Sequence, residues 1–107
     1  MNFTNETPLL TVLVEIDPPT LLVRLQGEID LSCVELLDSI DSLNLEDVAA
    51  VTLDMAGLEF VDSAGAQALL RLRDTELAAG REVRLIGPRP NVRKVFHLLG
   101  QEHVLAA

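Results

Sequence analysis

Ser63 is the side chain best placed to do chemistry. It lies in Gly57-Leu58-Glu59-Phe60-Val61-Asp62-Ser63-Ala64-Gly65, where an apolar strand pattern gives way to a helical one. At such a junction a hydroxyl can accept a hydrogen bond from a free N–H of the first helical turn. Ser63 therefore reads as the N-cap, and its removal is expected to cost about 1 kcal/mol. The exposure that suits a cap also suits modification. A phosphoryl group would add about −1.5 to −2 charges, favoured by the helix dipole and opposed by Asp62 and Asp30. The fold would survive, while a docked partner would meet a new, strongly hydrated charge.

Other chemistries find little support. The sequence has no G-x-x-x-x-G-K phosphate loop, no G-x-G-x-x-G and no G-x-S-x-G nucleophile elbow. His97 falls in an amphipathic helical pattern and His103 in the tail, so neither is placed as the base that a serine nucleophile needs within hydrogen-bond reach. An aspartyl-phosphate site would want a lysine near the end of the last strand, and the only lysine, Lys94, sits in a helical run. Cys33 is the lone cysteine, so it forms no internal disulfide and belongs to no metal-binding Cys/His cluster; it reads as a small buried hydrophobe. The expectation is a protein with no catalytic residues, no metal and no cofactor.

Periodicity shows what must hold these residues in place. Val12, Val14 and Ile16 alternate, as do Leu21, Val23 and Leu25, giving two strands joined by a turn at Asp17-Pro18-Pro19-Thr20. Ser32-Cys33-Val34-Glu35 fits a capping box opening a helix from about Cys33 to Leu43. VAAVTLDM reads as a strand in the middle of the sheet, covered on both sides. Ala66, Leu69, Leu70, Arg73 and Leu77 mark one face of a helix from about Ala64 to Ala79, and Gly80 stops it. EVRLIG is a further strand, Val92, Val95, Phe96 and Leu99 define a third helix, and QEHVLAA could add a brief edge strand or remain loose. Alternating strands and helices predict an α/β fold: a mixed, mostly parallel sheet of four to five strands with about three main helices. The carboxyl ends of its parallel strands should bring Asp30, the loop 56–63 and Gly87-Pro88 to one rim.

The chain has 107 residues, 49% of them hydrophobic, enough for one domain whose core buries roughly two-thirds of the unfolded surface. No apolar run approaches the ~20 residues that span a bilayer. MNFTNETPLL lacks the features of a secretory signal; membrane insertion is not expected, and the cytoplasm is the expected location. The net charge is −9. It is segregated: residues 1–70 carry 13 acids and one base, Arg24, whereas residues 71–107 carry four acids and seven bases. With three aromatic residues, all Phe, direct nucleic-acid binding is disfavoured. The acidic part would instead favour encounter with a basic protein surface. The positive stretch from Arg71 to Lys94 reads as the solvent side of the second helix and nearby loops.

GEID at 27–30, VTLDMAGLEFVDSAG at 51–65 and the following LLRLRDTELAAGREVRLIGP together resemble a STAS domain of the bacterial anti-sigma factor antagonist type. The resemblance runs from about Leu10 to Leu105 and implies a single STAS domain over residues 1–107. It implies a non-enzymatic protein that binds an anti-sigma factor, itself a serine kinase of the GHKL class, and so frees a sigma factor. By match to the family motif Ser63 would be the phosphoacceptor, possible substrate in turn of a serine phosphatase. Asp62 would be its neighbour in kinase recognition and Asp30 an acidic contact. Ala64, Gly65 and Gln67 would complete the partner-binding surface. The family often has Asp-Ser-Ser-Gly where this chain has Asp62-Ser63-Ala64-Gly65, a change that leaves the hydroxyl in place. Similar single-domain STAS proteins associate with the ATPase of phospholipid ABC transporters, which is the alternative function.

Overall fold

In a computed structural model that describes residues 2–42 and 45–106, five strands form one sheet. They are β1 (Asn2–Glu6), β2 (Leu10–Asp17), β3 (Thr20–Ile29), β4 (Ala50–Val61) and β5 (Glu82–Ile86), in spatial order β1-β2-β3-β4-β5. The first three are antiparallel neighbours, while β4 lies parallel to both β3 and β5. The helices are α1 (Val34–Asp38), α2 (Ser63–Ala78) and α3 (Pro90–Leu98).

Alternation dictates one buried sheet face. Leu10, Val12, Val14, Leu21, Val23, Leu25, Val51, Leu53 and Met55 are buried against the helices, and Phe96 of α3 and Leu69 of α2 close the core. On the other face Arg24 lies 3.8 Å from Glu15 and 3.9 Å from Asp54, all partly exposed. The sheet is therefore covered on one side, not on both as the apolar run VAAVTLDM suggested, and β3 rather than β4 is the middle strand. Polar β1 joins through backbone pairing to β2, from Asn2 opposite Glu15 to Glu6 opposite Thr11, with no hydrophobic alternation to announce it.

Strand β4 is much longer than its alternation suggests. Its register against β3 slips between Arg24 and Gln26 and again between Gly27 and Glu28, so the inward residues pass from Met55 to Leu58 and then to Val61. Such bulges add residues to one strand and re-aim its side chains. The first slip needs Gly57, where a Cβ would lie 2.9 Å from Gln26 Cγ and 3.1 Å from the Leu25 carbonyl oxygen. Residues 56–61, expected as loop, are thus the end of a strand.

The helices also depart from their expected phases. The stretch 31–42 is a 3₁₀ turn (Leu31–Cys33), the short α1 and a second 3₁₀ turn (Ser39–Ser42), not one continuous helix; Leu43 lies outside the described residues. Helix α2 buries Gly65, Ala66, Ala68, Leu69, Leu72 and Glu76, while Leu77 is exposed and Arg73 and Leu70 are partly buried. Buried Glu76 explains the rotation. It pairs with Arg81 at 3.1 Å, and Arg81 also donates to the carbonyl oxygens of Leu45 (2.6 Å) and Val48 (3.0 Å), so the charge is compensated. The tail forms a 3₁₀ turn (Glu102–Val104) and a single bridge from Leu105 to Leu85 instead of an edge strand.

Burial sets the scale of core substitutions. Leu53→Ala and Phe96→Ala are each expected to lower stability by about 2–5 kcal/mol, and Leu70→Ala by clearly less because its site is partly open. Urea unfolding of the three variants checks this order.

Candidate functional site

The register places the two acids side by side. Ile29 pairs with Val61 at the ends of β3 and β4, and the Asp62 N–H donates to the Ile29 carbonyl at 3.2 Å. Asp30 and Asp62 are thus the first residues beyond adjacent parallel strands.

Asp30 caps the 3₁₀ turn that follows it, the role expected of Ser32. Its Oδ1 accepts from the Ser32 backbone N–H at 2.9 Å and from the Ser32 hydroxyl at 2.5 Å. The hydroxyl, then the backbone N–H, hold the Asp30 carboxyl below its ordinary pKa of 3.8, against the opposing effect of desolvation. The rim therefore carries a carboxylate at neutral pH. Buried Cys33 places its Sγ 3.6 Å from the Glu28 carbonyl oxygen and 3.7 Å from Asp30 Oδ1.

Asp62, not Ser63, caps α2. Its extended backbone (φ −90°, ψ 178°) turns Oδ1 toward the Gly65 N–H at 2.7 Å, while its carbonyl accepts the Ala66 N–H at 2.9 Å. Asp is among the strongest N-caps, and one residue earlier in the chain it takes the place the sequence reading gave to Ser63. Ser63 is the first helical residue, exposed, and its hydroxyl has no hydrogen-bond partner among the described residues. Asp62→Ala is accordingly expected to cost about 1 kcal/mol and Ser63→Ala less than about 0.5 kcal/mol in thermal or urea unfolding, the reverse of what a Ser63 cap would give.

Gly65 lets α2 approach the sheet. A Cβ there would meet Ile29 Cγ2 at 2.7 Å, the Ile29 carbonyl oxygen at 2.8 Å and Val61 Cγ2 at 2.9 Å. It is buried, so it sets the distance between helix and strand ends. Ala64 is half-buried, and Gln67, one turn beyond Ser63, is exposed on the same side of the helix. The structure thus brings Asp30, Asp62, Ser63, Ala64, Gly65 and Gln67 together at one end of the sheet.

Gly87-Pro88 does not join them. Strand β5 ends with Ile86 opposite Asp54, so Gly87 lies against Ala56, well short of Asp62 along β4. The edge of β4 that β5 leaves open is occupied from the α3 side instead. Arg89 Nε donates to the Ala56 carbonyl at 3.1 Å and Asn91 Nδ2 to the Glu59 carbonyl at 2.7 Å. Two apolar residues that sequence reasoning passed over flank the acids: Leu31, 73% exposed, and Phe60, 47% exposed. The available signal was that neither fits the buried face of its element. Neither His97 nor His103 bonds Ser63; His97 Nδ1 lies 3.5 Å from Glu102 Oε2. No group of three or more potential metal ligands occurs among the described residues, nor does a helix long and apolar enough to cross a membrane.

A mixed sheet with α2 starting directly after the second parallel strand, capped by Asp62 and presenting a free serine, defines a recognisable domain type. A family model for the STAS domain matches residues 11–106, and the chain belongs to that family. It is 37% identical over 84 residues to an anti-sigma F factor antagonist of Lysinibacillus sphaericus, covering 76% of this chain and 71% of that one. Among solved structures it is similar to the anti-sigma factor antagonist SpoIIAA in its unphosphorylated form, with a TM-score of 0.75, 28% identity and coverage of 89% of this chain and 85% of that one. The phosphorylated form of the Bacillus cell fate determinant SpoIIAA aligns with a TM-score of 0.69 at 26% identity, covering 89% of this chain and 88% of that one.

Proposed function

We propose that this protein is an anti-sigma factor antagonist: unphosphorylated, it binds an anti-sigma factor through the rim formed by Asp30, Asp62, Ser63, Ala64, Gly65 and Gln67, and phosphorylation of Ser63 releases it. The observation that carries this reading is Ser63 itself. The hydroxyl is exposed, has no hydrogen bond among the described residues and is not needed to cap its helix, so it is open to transfer of a phosphoryl group. Similarity to proteins named as anti-sigma factor antagonists, one of them solved in a phosphorylated form, supports the same reading.

The chemistry follows from position. A phosphoryl group on the first residue of α2 sits where the helix dipole favours anions, and the helix therefore persists. The same group adds its charge beside two carboxylates and projects bulk into the partner's space. Binding, rather than folding, is what changes. The partner in this account is a serine kinase of the GHKL class that supplies the catalysis and ATP; the chain itself acts by docking, in the cytoplasm. Incubation with that kinase and magnesium ATP, followed by tandem mass spectrometry, is expected to place one phosphate on Ser63 and none on Ser32 or Ser39. Phosphate elsewhere, or persistent phosphorylation of Ser63→Ala, would refute the assignment.

A further inference from the structure

The rim leaves the positive third of the chain without a role. Three cations lie on or beside the first two turns of α3, Arg89, Arg93 and Lys94, of which Arg89 is already bonded to the Ala56 carbonyl. Between this helix and the 3₁₀ turn at 102–104 runs a groove of about 360 Å³, open to solvent and lined by Pro90, Arg93, Lys94, His97 and Glu102. Its volume lies at the lower end of ligand-sized clefts, ~300–1,000 Å³, and far exceeds what a lone phosphate or sulfate fills. From Pro90 to His97 the helix runs about 10 Å, the span of roughly three residues of extended chain.

The cations there are only partly committed. Arg93 donates to the Ala106 carbonyl at 3.3 Å, and His97 lies 3.5 Å from Glu102. Lys94 is exposed and has no partner among the described residues. The acids of residues 1–70 set the overall field, but at physiological salt charges more than ~8 Å away are largely screened, so the local arrangement decides what binds.

We propose that this groove is a second docking surface, separate from the Ser63 rim, that receives a short acidic peptide segment of a partner protein. One carboxylate meets Lys94 and Arg93, an adjacent apolar side chain lies on the Pro90 ring, and Glu102 accepts a backbone N–H of the segment. A polyanion such as nucleic acid fits poorly, because Glu102 stands in the groove and a net charge of −9 surrounds it. A segment with one or two carboxylates needs only the cations present. The proposal does not depend on Ser63, so it stands or falls separately from the switch.

Titration of the ¹⁵N-labelled protein with the acetylated, amidated pentapeptide Gly-Asp-Leu-Glu-Gly tests it, with Gly-Lys-Leu-Lys-Gly and inorganic phosphate as controls. The expected result is amide shifts confined to residues 89–104, weakened about tenfold in Lys94→Glu and strengthened several-fold in Glu102→Gln, both with native spectra elsewhere. Retained affinity in Lys94→Glu, shifts centred on residues 62–71, or equal binding of the basic peptide would overturn it. So would inorganic phosphate binding the same amides as tightly as the peptide, which would reduce the groove to a small-anion site.

Discussion

Ser63→Glu is expected to weaken binding to the anti-sigma kinase about 100-fold or more while leaving the protein fully folded. Two decades in affinity correspond to about 2.7 kcal/mol, which the loss of one or two charge-assisted contacts supplies. The new carboxylate would sit at the first residue of α2, where an anion is stabilising by about 0.3–1 kcal/mol, so the melting temperature should hold or rise slightly. Ser63→Ala should bind as wild type does, because the hydroxyl caps nothing, and should remain bound in the presence of ATP. Isothermal titration of the three proteins against the purified kinase checks both halves. Equal affinity of the Glu variant and wild type would remove the switch from the account.

The second large effect is expected at Gly65. In Gly65→Ala the added Cβ has to displace the Ile29 carbonyl oxygen, now 2.8 Å from its ideal position, together with two side-chain methyls. Backbone yields less readily than a flexible side chain, and overpacking of this kind costs about 1–3 kcal/mol. The damage is local as well as global. Ile29 precedes Asp30 and accepts the Asp62 N–H, so moving its carbonyl separates the two acids that share the rim. Gly65→Ala should therefore lose stability in urea and also lose affinity for the kinase. Gly80→Ala serves as a control for stability: its Cβ would meet no atom within 4 Å, and its cost comes from backbone conformation alone (φ +86°).

Several of these features are legible in the sequence for simple reasons. The alternation of Val12, Val14 and Ile16 and of Leu21, Val23 and Leu25 marks strands because one sheet face is buried, and Val92 and Phe96 mark α3 because its buried stripe is narrow. The misses share a cause: a local rule overridden by a neighbour. The bulges in β4 break its alternation at Met55, so the strand looks finished six residues too soon. A buried Glu76 paired with Arg81 turns α2 away from the face its leucines suggest. At both helix starts an aspartate stood before a serine, and the serine looked sufficient as a cap. Asp30 and Asp62 took both positions because each follows a strand end directly, with extended backbone already in place to turn its carboxylate onto the next turn. That substitution of roles matters for function, since it frees Ser63. The acids at the rim were legible, whereas the stepped end of β5, which keeps Gly87-Pro88 away from them, depends on strand lengths that composition does not encode.

The most direct test of the account is affinity capture from the native cell with wild-type protein and Ser63→Glu as parallel baits, the retained proteins being identified by mass spectrometry. Recovery of a GHKL-class serine kinase by wild type and its absence with the Glu variant is the predicted result. Recovery of transporter ATPase subunits by both baits, with no kinase, would contradict it and move the protein to lipid transport.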